Sequence, residues 1–80
     1  MRDRIDDQSL AGARLTAMRL RQRIAITAAS IAETEDWVAD TLDRIARARP
    51  QDARRLRARA ASARQFAARE RAQAATYRSG

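Results

Sequence analysis

The sequence predicts an all-α fold: an antiparallel two-helix hairpin of the Ala-rich coiled-coil kind, completed as a homodimeric four-helix assembly. Three observations predict it. Gly and Pro almost vanish, with Gly12, Pro50 and Gly80 the only ones in 80 residues, and strong helix formers such as Ala, Arg, Leu, Glu and Gln dominate the rest. A large apolar residue followed by Ala recurs every seven residues, as Ile24-Ala25, Ile31-Ala32, Val38-Ala39 and Ile45-Ala46. After Pro50 a second row, Ala53, Ala60, Ala67 and Ala74, keeps the same interval.

Taken in order, residues 1–8 are expected to fray, although Asp6, Asp7 and Ser9 offer N-cap oxygens and negative charge at a helix start. The first helix is expected over about residues 9–47. Pro50 forbids its continuation by clashing with the preceding turn, and a turn is expected at about 48–50. Pro50 also suits the first position of a second helix over about 50–78, with Gln51 and Asp52 in its first turn and residues 79–80 frayed. So short a connection makes the helices antiparallel neighbours within one domain, residues 1–80.

The heptad explains how they pack. Ile24, Ala28, Ile31, Glu35, Val38, Leu42 and Ile45 form a stripe with spacings of four and three, the mark of a coiled-coil seam. Beside it Ala25, Ala32, Ala39 and Ala46 let a second helix approach to the low end of the usual interaxial range. The predicted helix–helix seam is therefore Ile24, Ala25, Ile31, Ala32, Val38, Ala39, Leu42 and Ile45 against Ala53, Leu56, Ala60, Ala67 and Ala74. A turn near 48–50 pairs position i with roughly 99 minus i. That sets the acidic block Glu33, Glu35, Asp36, Asp40 and Asp43 alongside Arg54, Arg55, Arg57, Arg59 and Arg64. Glu35 and Glu70, carboxylates inside the stripes, are expected to fix register through Arg contacts.

Helix 2 is too poor in large side chains to cover helix 1. Of 16 apolar residues other than Ala, 13 precede Pro50, and only Leu56, Phe66 and Tyr77 follow it. An oligomer or partner interface is expected at Leu10, Leu15, Met18, Leu20, Ile26, Trp37 and Phe66, filled most simply by a second copy. Trp37 suits an interface anchor, but a residue packed within the same oligomer is the favoured reading, because a second interface already needs aromatic area.

Composition narrows function. There is no His or Cys and no Gly-rich phosphate loop, so neither catalysis nor a cofactor or metal is expected; Asp3, Asp6 and Asp7 come nearest to an oxygen-ligand cluster, and helix capping accounts for them. No stretch is apolar enough for a signal peptide or membrane span, so a cytoplasmic location is expected. All 17 basic residues are Arg, a bias that a GC-rich genome produces. Residues 1–46 hold seven Arg and eight acids, whereas residues 47–80 hold ten Arg and two. Arg47, Arg49, Arg54, Arg55, Arg57, Arg64, Arg71 and Arg78 are the candidate contacts for nucleic acid or another anion. The chain reads as a helical protein–protein interaction module, a dimeric adaptor, regulator or assembly factor. The alternative is an accessory protein that binds nucleic acid with little sequence preference.

Overall fold

The computed structural model describes the backbone of residues 2–80 and the side chains of residues 7–80. Helix α1 spans Arg2–Ala48, a 3₁₀ turn spans Pro50–Asp52, and helix α2 spans Ala53–Ser79. The two helices lie antiparallel in a rod with extents of 74 × 13 × 13 Å. No helix among the described residues is long and apolar enough to cross a membrane.

Two boundaries differ from expectation. Helix α1 begins at Arg2 rather than near Ser9, so Asp7 and Ser9 lie inside it and do not cap it; nothing in this stretch, with no Pro and only Gly12, opposes helix. The side chains of Asp3 and Asp6, part of the expected acidic cluster, lie outside the described residues. Ser79 is helical, its hydroxyl donating to Ala75 O at 2.9 Å, while the Gly80 amide closes the last turn on Thr76 O at 3.1 Å.

The turn follows from Pro50. Arg49 leaves the helix with φ −130° and ψ 78°, in the non-helical region that a residue before proline is pushed into. Its amide still donates to Ile45 O and Ala46 O, and its carbonyl accepts from the Asp52 amide at 3.0 Å. The reversal therefore occupies Arg49 to Asp52, longer than a tight turn at 48–50. This lengthening shifts the register. Ala25 and Ala28 pack with Ala74 and Tyr77, and Ala39 and Leu42 pack with Ala60 and Ala63, which pairs i with roughly 102 minus i rather than 99 minus i.

Alanine makes the interior. Ala25, Ala32, Ala39 and Ala46 are 0–1% exposed, and Ala60, Ala67 and Ala74 are 0–2% exposed; with Ala28, Ala63 and Leu56 they form the whole buried set among the described residues. Methyl groups recurring once per heptad on both helices allow a close approach that larger side chains would block. No buried polar side-chain atom among the described residues lacks a partner.

Candidate functional site

Burial of the Ala rows decides where every other side chain goes. A residue one position before each buried Ala is turned by about 100° around the helix, so it flanks the contact instead of filling it. Ile24, Ile31 and Ile45 are accordingly 39–40% exposed, and Val38 and Leu42 are half-buried. This corrects the seam: of the large residues predicted there, only Leu56 is buried, at 6% exposure, and Ala53 is half-buried at the turn end.

These flanking residues share one side of the hairpin. Leu20, Arg23, Ile24, Thr27, Ala28 and Ile31 line an open groove with Glu70 and Gln73 of α2. Glu35, Val38 and Leu42 continue it against Ala58, Arg59, Ser62, Ala63 and Phe66. Phe66, 39% exposed, is its one aromatic ring, with the Arg69 guanidinium 5.9 Å from the ring centre. Leu10 and Ala17 extend the same row by heptad spacing, giving Leu10, Ala17, Ile24, Ile31, Val38 and Ile45 along α1.

The opposite side carries the inter-helix ion pairs together with the exposed apolar residues Trp37, Ile26 and Leu15. The Arg64 guanidinium donates to Asp43 at 2.6 Å and Asp40 at 3.1 Å, and Arg71 donates to Asp36. Hydrogen bonds from Arg64 to Asp43 and then Asp40 hold its pKa above an already high ordinary value. Trp37, Arg44 and Arg47 border this cluster, with Trp37 64% exposed. Ile26 and Leu15 are 61% and 47% exposed, and by heptad position both belong to this side. Thr41 bonds back to Trp37 O at 2.9 Å and accepts from Arg44, and Thr34 bonds back to Ser30 O, so both hydroxyls are satisfied within their own helix.

The acidic block thus meets α2 as its charge pattern suggested, through Arg64 as expected and through Arg71, which lay outside the expected set. The lengthened turn gives Asp36 to Arg71, and Arg55 turns to Asp52 at 3.7 Å, whereas Arg54, Arg57 and Arg59 form no ion pair among the described residues. Glu35 and Glu70 are half-buried on the apolar side and likewise form none, contrary to their expected register role. Replacing Arg64 with Ala is expected to leave stability almost unchanged, because Arg64 and Asp40 are solvent-exposed and water screens the pair. Chemical denaturation checks this.

Helix α2 stops where the Arg21 side chain lies against Gly80. Beyond it α1 runs on alone over residues 2–20, about 28 Å at 1.5 Å per residue. Leu10, Leu15, Met18 and Leu20 on this overhang are 47–65% exposed. Met18 continues the inner Ala row by heptad position, facing the place α2 would occupy were it longer. Among the described residues no group of His, Cys, Asp and Glu is arranged to hold a metal ion.

Of the predicted anion contacts, Arg64 and Arg71 are engaged with α1 and Arg55 with Asp52. Arg47, Arg49, Arg54, Arg57 and Arg78 are exposed and form no ion pair among the described residues. Sequence pattern had assigned the flanking isoleucines to the seam; their position one residue from a smaller side chain was the sign that they would be left outside it. No known protein family, curated protein or solved structure matches the chain.

Proposed function

We propose that this chain is a non-enzymatic helical interaction module that works as a homodimer, two hairpins joining through their apolar sides into a four-helix assembly. One observation carries the reading: Ile24, Ile31, Ile45 and Phe66 lie together on one side of the hairpin, each 39–40% exposed, with the bare overhang extending their row. An exposed apolar surface this continuous is characteristic of an interaction site, and a two-helix unit whose core is alanine has little burial of its own to hold it folded. Association supplies the missing burial.

The composition supports a role in binding rather than catalysis, since neither His nor Cys is present to act as nucleophile or neutral-pH base. Thermal unfolding at several protein concentrations tests the reading. A melting temperature that rises with concentration is expected, by mass action on the folded dimer; a melting temperature independent of concentration over two decades would contradict it.

A second reading rests on Arg47, Arg49, Arg54, Arg57 and Arg78, which are exposed and form no ion pair among the described residues. Helix α2 and the turn then act as a rail for phosphates, with little sequence preference because no base-reading motif accompanies them. Fluorescence titration with a duplex oligonucleotide at about 50 and 200 mM salt tests it. Affinity falling at least tenfold supports phosphate contact, and no binding at the lower salt removes this reading.

A further inference from the structure

From the charges flanking the apolar row and the exposed side chains of Met18 and Leu20, we propose that the second copy docks antiparallel, α1 against α1, about a twofold axis at the level of Thr27 and Ala28. The inference rests on the dimer reading above and names the orientation and the contacts that select it.

The row Leu10, Ala17, Ile24, Ile31, Val38, Ile45 is evenly spaced, so a reversed copy faces it with partners summing to 55. Leu10 then meets Ile45, Ala17 meets Val38, and Ile24 meets Ile31, small against large or large against large. The row between this stripe and α2 reads Asp7, Arg14, Arg21, Ala28, Glu35, Leu42, Arg49. In antiparallel helix pairs such a flanking row meets its own reversed copy. Asp7 thereby faces Arg49, Arg21 faces Glu35, and Ala28 faces itself at the axis.

Both charge pairs are of opposite sign. Glu35 is half-buried and forms no ion pair within its own hairpin, although Arg59 lines the same hollow. Arg21 rests against Gly80 at the end of α2, which leaves most of its five donors for a carboxylate. Along that flanking row the basic positions Arg14 and Arg21 of one copy thus run towards Glu35 and Leu42 of the other. A parallel dimer instead gathers Arg14 and Arg21 of both copies at one end, where like charges repel.

The overhang gives an independent reason. With i facing 102 minus i inside a hairpin and 55 minus i between hairpins, the second copy's Phe66 arrives at the level of Arg19 on the first. Phe66 points to the apolar side, and its flanking neighbours there are Met18 and Leu20, exposed at 65% and 51%. Antiparallel docking thus brings the other hairpin's Phe66 to these exposed side chains, which parallel docking does not achieve.

Spin labels at exposed positions distinguish the orientations without touching the contact, and the absence of native Cys makes them site-specific. The full chain carrying Arg47→Cys, labelled and measured by double electron–electron resonance, should give a label separation of about 58 Å, from 39 residues of helix between the two labels. Ser30→Cys, near the axis, should give less than about 35 Å. A separation below about 35 Å at both positions would establish parallel docking and overturn this orientation while leaving the dimer intact. A monomer by light scattering, with no dipolar signal at either position, would overturn the dimer reading itself and this inference with it. Charge reversal provides the second measurement: Glu35→Arg is expected to weaken dimerisation about tenfold, and adding Arg21→Glu to the same chain should restore it. No recovery in the double variant would overturn the Arg21–Glu35 contact.

Discussion

Replacing Ala39 by Leu is expected to lower stability by about 1–3 kcal/mol, and the same change at Ala60 should do likewise. Both methyl groups are 0% exposed and meet in one cluster with Ala63 and Leu42. Three further carbons there have no cavity to enter, so the helices must separate along the heptads on either side. Separation removes contacts made by neighbouring Ala as well, because close approach is a property of the whole row. For a chain of this size the fall in melting temperature is about 4–8 °C per kcal/mol, read directly by circular dichroism. Leu at Ala61, which faces outward on α2 and is exposed, is the control and should be nearly neutral. Equal melting temperatures for Ala39→Leu and Ala61→Leu would exclude tight Ala packing.

The second large effect is expected on association. Ile31→Glu places a carboxylate in the middle of the apolar row at a site 39% exposed in the single hairpin. A lone hairpin tolerates it, since the new side chain reaches water. A dimer buries it unpaired, at a cost of several kcal/mol, so the dissociation constant should rise at least a hundredfold. Helicity at high concentration should change little if the hairpin persists, and size-exclusion chromatography should shift to the smaller species. Glu at Trp37, on the outer face and 64% exposed, should leave association unaltered; weakening by Trp37→Glu with none by Ile31→Glu would move the interface to the side of the ion pairs.

Much of the hairpin was legible in the chain. Pro50 marked the reversal, and the two Ala rows, read only from their seven-residue spacing, are buried except for Ala53 at the turn end. Charge segregation pointed to the antiparallel pairing that Arg64 and Arg71 make. The register was misread by about three positions, because the number of residues a proline turn consumes depends on Arg49 leaving the helix and on the 3₁₀ winding of Pro50–Asp52, neither of which the periodicity encodes.

The candidate surface was less legible for a geometric reason. Periodicity groups Ile24 and Ala25 together as one seam, yet only one of two adjacent positions can point at a neighbouring helix. Closest packing selects the smaller, which sends Ile24, Ile31 and Ile45 to the open side. Helix α1 also reaches Arg2, past the Asp and Ser residues that resembled a start, because capping residues that meet no helix-breaking neighbour are carried along inside the helix.

Sedimentation equilibrium of the unmodified chain at micromolar to millimolar concentration tests most directly whether the apolar side of the hairpin is an interface. A mass near 18 kDa, twice the chain's 9.0 kDa, is the predicted result. A fully helical 9.0 kDa species persisting at the highest concentration would contradict it.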